Sequence, residues 1–457
     1  MKFKKFGKVL LMGALSVGAV LGVTSCVRSY STGYLYVTGT VTAGTGGNGI
    51  ISGFKIDHNT GQLLSIHGLP VSSGGANPVR AVLTSDSRFL YVLNRGTTAS
   101  GSADCTTADP CQNANITEFA VGGNGILTPE QTFFTQGINP FRLIVDFSGS
   151  HLLVLDHDAP DNYATSYNPL TNGCTLALGS GVETCGDITI FTIDFTTGRL
   201  SLVPNAQVTA SSGFALTYFP VPVNPVDFSV VNAADVLTMS SSSTQASFPY
   251  TGGSTVFPYA YNPSTGQLTL SSSSTQTLSI SKGTAIVSAG NTTYVLDNEP
   301  PSPNPNGSTS QILPFSVVAA TGFLQAEPGG IVADDPTLSN PIYLLAESKG
   351  RFIYVANQGN NTLGANAGSG ISGYFLTLSP TYQLSFIPGE PFGSGSGPQC
   401  IVEDPSGQFI YEANEYDSSI SGRVLDPNSG VLNPMRVVSN DTLLGPPTWC
   451  LIDGRTG

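Results

Sequence analysis

One short pattern of residues recurs along this chain and constrains its fold more than any other feature. Residues 340–357 read NPIYLLAESKGRFIYVAN: a strand, a tight polar turn through Ser348-Lys349-Gly350, and a second strand. Residues 76–94, 138–156, 224–240 and 397–414 repeat it, and a degenerate copy ends at Asn298. A unit that cannot bury its own apolar faces must stack against copies of itself, so repetition points to a repeat architecture. Short Val/Ile/Tyr/Phe/Thr runs broken by Gly, Pro, Asn and Ser follow each pair. They predict an all-β fold.

A second marker lies one strand further on. IDHNTGQL at 56–63 returns as IDFTTGRL at 193–200, YNPSTGQL at 261–268, AATGFL at 319–324 and LDPNSGVL at 425–432. GGNGIL at 122–127 is looser, and LSPTYQL at 378–384 carries Tyr382 where glycine is expected. Asx at the start and Gly at the end suit a type I turn closed by a left-handed residue. Tyr382 in that slot implies a strained turn or a different loop. The markers fall at Gly61, Gly125, Gly198, Gly266, Gly322, Tyr382 and Gly430, giving seven units of four short strands, with inserts at 96–113, 157–186 and 299–310. Four-stranded units in such number predict a seven-bladed β-propeller over residues 31–457. The chain ends on TWCLIDGRTG, a first-strand pattern, and residues 31–39 (STGYLYVTG) form a second-strand pattern without a first. Together they make one unit, so one blade is expected to close 3+1 and leave no open edge.

The N-terminus is of another kind. Lys2, Lys4, Lys5 and Lys8 precede an apolar run at 9–23 that is too short for a comfortable span, which reads as a secretory signal. It ends Val23-Thr24-Ser25-Cys26 and resembles a bacterial lipobox. The expectation is a signal peptide at 1–25, a lipidated Cys26 with a short tether at 26–30, and a mature protein anchored to the bacterial membrane. Val27, not an acidic residue, follows. By resemblance to enterobacterial sorting this favours the outer membrane, facing the periplasm or the cell surface. Losing four lysines and no acid would take the net charge from −13 to −17, leaving Lys55, Lys282 and Lys349. No basic stripe remains to hold nucleic acid. Partners are expected to be the membrane through its anchor and an unidentified small molecule or envelope protein, with the protein a monomer.

Six further cysteines in an oxidising address suggest disulfides. Cys105 and Cys111, and Cys174 and Cys185, flank local loops, while Cys400 and Cys450 begin equivalent strands of neighbouring repeats. Six cysteines allow 15 pairings, so the set Cys105–Cys111, Cys174–Cys185 and Cys400–Cys450 is an expectation. Without CxxC spacing or a histidine beside these cysteines, no metal and no cofactor is expected. Asp156-His157-Asp158 with Asp161 and Asn162 has the composition of a cation loop but not the spacing.

The strand pair followed by D-x-x-T-G-x-L resembles the seven-bladed lactonase family, which includes the 6-phosphogluconolactonases. The resemblance covers nearly all of residues 30–457 and implies a site at the channel mouth, where first strands begin and second strands end. Family members carry G-P-R-H and V-N-E-L there; this chain has Gly397-Pro398-Gln399-Cys400 and Ala413-Asn414-Glu415-Tyr416. The resemblance makes Glu415 the candidate catalytic carboxylate, with Gln399 and Cys400 in place of Arg and His. The P-H-S of the preceding blade is Pro341-Ile342-Tyr343 here. Opening a lactone needs a base for water and a donor or cation for the developing oxyanion. The matching positions supply no such cation.

Arg80 and Arg142 each sit two residues after a blade proline, and Asp227 holds the same slot in the next copy. Two cations at a channel mouth would suit a carboxylate or sugar acid. The competing expectation is that each pairs with a carboxylate of an adjacent blade. Arg80, Arg142, Asn357, Gln399 and Asn414 are the candidate ligand-binding residues. Two functions of different class follow: a lipid-anchored binding or scaffold propeller, or a divergent lactone hydrolase or sugar-acid isomerase using Glu415.

Overall fold

The computed structural model describes residues 30–41, 48–160, 185–209, 213–241, 253–271, 276–298, 308, 310–319, 321–361, 367–377, 382–435 and 441–455. Within them the protein is all-β, built from antiparallel sheets of four strands in sequential order. Pro78–Leu83, Phe89–Asn94, Asn115–Val121 and Leu127–Phe133 form one such sheet. Further sheets start at Ile138–Val145, Pro225–Val231, Gly283–Ala289, Pro341–Ala346 and Pro398–Glu403. In another, Ser31–Gly39 pairs on one side with Asn48–Asp57 and on the other with Pro447–Asp453, bringing the two ends of the described chain into one ladder, and a small two-stranded sheet joins Asn205–Thr209 to Ala215–Leu216. The arrangement fits a β-propeller.

Each first strand lies against the first strand of the next sheet, and Pro447–Asp453 lies against Pro78–Leu83. The second strands are buried along their whole length in four sheets and at all but one or two positions in the others. Both of their faces pack on neighbouring sheets, which is why they read as continuous apolar runs. Where four strands were expected, the outer edge is often divided. The third strand Asn48–Asp57 pairs with both Leu63–Ser65 and Val71–Ala76, and four other sheets do the same. Gly68 at positive φ and Pro70 interrupt the outer strand in that first case, since neither sustains a ladder.

The two sequence markers meet between sheets. Tyr36, Tyr91, Tyr354 and Tyr411, each on a second strand, donate their hydroxyls to the carbonyls of Gly125, Gly198, Gly430 and Gly61 at 2.5–2.8 Å. The acceptor is always the turn glycine of the neighbouring sheet. That glycine has φ between 70 and 80°, and a Cβ there would come within 2.5–2.6 Å of an aromatic ring. Left-handed conformation and close approach both require glycine. Tyr382 adopts φ 42°, so the chain keeps the left-handed turn even with a bulky residue in the slot.

Candidate functional site

The first strands share a local irregularity that builds the site. Each carries a proline at or near its start (glycine at Gly283), and the next-but-one residue resumes the ladder, leaving the intervening residue without a partner. Pro78 faces Asn94 and Arg80 faces Leu93; Pro341 faces Asn357 and Tyr343 faces Ala356; Pro398 faces Asn414 and Cys400 faces Ala413. Proline has no N–H to give, so the first position of a strand and a bulge are the places that tolerate it. The residue before it is left-handed at Asn77, Asn139, Asn224 and Asn340, a conformation asparagine tolerates better than most. The bulge re-aims the residue two after the proline. That position holds Arg80, Arg142, Asp227, Ala285, Tyr343, Cys400 and Trp449 around the ring of first strands.

A cavity of about 450 Å³ lies among them and is lined from every one of these strands, including Arg80, Arg142, Asp227, Ile286, Tyr343, Val402 and Trp449. Arg80 stacks its guanidinium 3.6 Å from the centre of the Trp449 ring. Trp449 is held by its Nε1–H, which donates to the carbonyl of Ala81 at 3.1 Å, and by the edge of Tyr343, whose ring centre is 4.8 Å away. Burial first, and the Arg142 charge second, push Arg80 down to about 9, so it remains a cation at neutral pH. It makes no ion pair among the described residues.

Arg142 differs. Its Nε–H donates to Asp227 at 2.9 Å, and the other oxygen of Asp227 accepts the backbone N–H of Ile286 at 3.0 Å. Of the two cations, one therefore has the expected carboxylate of the next sheet and the other rests on an aromatic face instead. Ser229 and Ser288 also line the cavity, hydrogen-bonded to each other at 2.8 Å.

Glu415 lies just beyond the second strand Phe409–Asn414 and outside the cavity lining. One carboxylate oxygen accepts from Gln358 Nε2 at 2.7 Å and from Gln399 Nε2. Gln358 is oriented by Asn340, which donates to its Oε1 at 2.8 Å. Burial raises the Glu415 carboxyl above the usual range, and the two amides pull it partly back. Neutral amides can hold a carboxylate, but they give it no positive charge to share with an oxyanion. Asn357 and Asn414 are fully buried inside their sheets, with their amides turned to Ser372 and to Ser419 and Ser421 of the third strand. They brace the ladder and do not face the cavity.

Cys105–Cys111 and Cys400–Cys450 are disulfides, and Cys185 is disulfide-bonded. Cys174, Asp161, Asn162 and the whole segment 1–29 with Cys26 lie outside the described residues. The sequence reading missed Trp449 as a site residue. Its signal was available: it is the chain's single tryptophan and occupies the same slot after proline as Arg80 and Arg142.

No family profile matches the sequence, and no curated protein matches it. Solved structures do. A 6-phosphogluconolactonase candidate from Bacteroides fragilis NCTC 9343 is 15% identical over 94% of this chain and 99% of its own, with TM-score 0.60. A second such candidate, from Bacteroides uniformis ATCC 8492, gives 13% identity, 93% and 100% coverage, and TM-score 0.60. The periplasmic gluconolactonase PpgL of Pseudomonas aeruginosa gives 16%, 93% and 98%, and 0.60. At these identities the likeness is one of fold. The chain has the architecture of the lactonase-like β-propellers, over nearly its whole length.

Proposed function

We propose that this chain is an exported, lipid-anchored propeller of seven four-stranded blades, closed 3+1 by its first and last strands, that binds a small ligand or an envelope partner at its channel. In this reading residues 1–25 are a signal peptide, Cys26 carries the lipid on the short tether 26–30, and 31–457 form the propeller. The closed circuit of first-strand contacts and the pairing of Ser31–Gly39 with Pro447–Asp453 support the blade count and closure. The disulfides and the periplasmic relative in fold support an oxidising compartment.

The observation that carries the binding role is the Arg80 guanidinium, paired with no carboxylate among the described residues and bordering a cavity lined from all the first strands. A divergent lactone hydrolase or sugar-acid isomerase is the second reading, favoured by the upward-shifted carboxyl of Glu415. Among the described residues Glu415 has no cation beside it for the oxyanion and its two neighbouring amides are already bonded to the carboxylate, and losing one oxyanion donor costs about 10²–10³ in rate. The full mature chain is therefore expected to hydrolyse 6-phosphogluconolactone no faster than background, and neutral lactones slowly. Turnover at about 1–10³ s⁻¹ that Glu415→Gln abolishes would overturn the binding reading. For the anchor, Cys26→Ser should move mature protein out of the membrane fraction or stall its processing. Wild-type protein that fractionates as soluble with a free N-terminus would refute it.

A further inference from the structure

Resting on that binding role, we propose that the channel site selects small monocarboxylates, clamped by Arg80 on Trp449, and rejects dianions and phosphate esters. The selectivity follows from the charges that line the cavity. Arg80 and Arg142 both border it, yet among the described residues only Arg80 is without a carboxylate partner. Arg142 is neutralised by Asp227 at 2.9 Å, and Asp227 is itself fixed by the Ile286 N–H. A ligand entering this space meets one uncompensated guanidinium and one carboxylate that already has its counter-charge.

Arg80 rests on the Trp449 ring at 3.6 Å within the lining, and a guanidinium packed against a ring face keeps its N–H groups, arranged as a planar fork, for other partners. A planar carboxylate matches that fork with two parallel hydrogen bonds. A phosphate monoester brings a second negative charge, for which the cavity offers only the occupied Arg142. Asp227 would repel it at short range in a poorly solvated space. The acidic chain, at −13, adds a further cost for each extra negative charge on the ligand. Ser229 and Ser288, paired at 2.8 Å in the same lining, offer oxygen atoms to a ligand hydroxyl. The preferred class is thus a small hydroxylated acid carrying a single charge.

Trp449 is the chain's only tryptophan, so its fluorescence reports on this site alone. The test titrates the full mature chain with four probes of one carbon skeleton: sorbitol, gluconate, glucarate and 6-phosphogluconate. Glycerate serves as a shorter singly charged probe, and calorimetry is the second readout. Gluconate or glycerate should saturate with Kd about 0.1–10 mM, as expected for so small a ligand, and sorbitol should bind at least roughly tenfold more weakly. Glucarate and 6-phosphogluconate should also be at least about tenfold weaker. Arg80→Gln should weaken gluconate by about 10- to 100-fold, whereas Asp227→Asn, which frees Arg142, should bring glucarate level with gluconate. Equal or tighter binding of glucarate or 6-phosphogluconate to wild type, or indifference to Arg80→Gln in a protein of unchanged circular dichroism, overturns the proposal. So does failure of both singly charged probes to bind. None of these outcomes touches the broader binding role, which fails instead on Glu415-dependent turnover.

Discussion

The hydroxyl of Tyr411 donates to the carbonyl of Gly61 at 2.6 Å, joining positions 350 residues apart. The same link recurs as Tyr36 to Gly125, Tyr91 to Gly198 and Tyr354 to Gly430, but those pairs are at most 107 residues apart. The Tyr411 bond ties the last sheet to the first. Tyr411→Phe should leave a buried carbonyl unsatisfied and cost about 1–3 kcal/mol. Gly61→Ala should cost more, because φ is 70° and the new methyl would meet the Phe409 ring at 2.5 Å. Urea unfolding of both variants checks the order.

Residues 448–457 hold most of the strand that pairs with Ser31–Gly39 and carries Trp449. Removing them should expose an edge of Ser31–Gly39 and empty one wall of the cavity. A large drop in melting temperature and a tendency to associate are expected. Trimming residues 27–29 should leave melting unchanged. Differential scanning calorimetry of the two truncations makes the comparison.

Cys400–Cys450 bridges neighbouring first strands across a sequence separation of 50, with both cysteines buried. A loop of that length makes the crosslink worth about 2–4 kcal/mol. The double variant Cys400→Ala, Cys450→Ala should lose roughly that amount in denaturant. Breaking the Cys105–Cys111 bridge, with a separation of 6, should cost less.

Much of this was legible in the residues, and the exceptions share a cause. The strand pairs and turn glycines depend on local chemistry, so they could be read directly. The slot two after proline was also visible, which is why Arg80, Arg142 and Asp227 were grouped. Trp449 was missed because its role depends on a contact between the chain's last strand and Arg80, which no local pattern encodes. Asn357 and Asn414 were misplaced at the mouth for a different reason. Their strands, Phe352–Asn357 and Phe409–Asn414, are buried on both faces, so alternation cannot tell which way a side chain turns.

Asp146 accepts from Ser148, from the backbone of Ser150 and His151, and from Tyr261 at 2.9 Å. Burial alone would raise its carboxyl, but the bonds from His151, Ser148 and Tyr261 prevail and bring it to about 2. A depressed carboxylate contributes stability that is complete above its unfolded value near 4 and lost as pH falls toward about 2. Asp146→Asn should therefore destabilise by about 2 kcal/mol at pH 7, with the difference from wild type vanishing near pH 2. Chemical denaturation across that range measures it.

Glu412 has the opposite sign. It is fully buried on Phe409–Asn414, and burial pushes it up to about 8, offset in part by Arg423 and Ser421. A raised carboxyl contributes stability that is whole below the unfolded value near 4.5 and lost as pH climbs to about 8. Glu412→Gln should match wild type at pH 4 and exceed it at pH 9, by on the order of a few kcal/mol. Equal stability at both pH values would show that the carboxyl ionises freely in the folded protein.

The bulge after each blade proline separates two kinds of inheritance. Backbone pairing and the Tyr–Gly links belong to residues that must stay, whereas the side chain two places on is not part of either. Five of these side chains, Arg80, Arg142, Asp227, Tyr343 and Trp449, border one cavity, each encoded by a single codon. Ligand preference can be rewritten position by position while the scaffold stands still. Sequences drifting to about one identical residue in seven, as with the structures it resembles, can keep the scaffold and still differ at every such position.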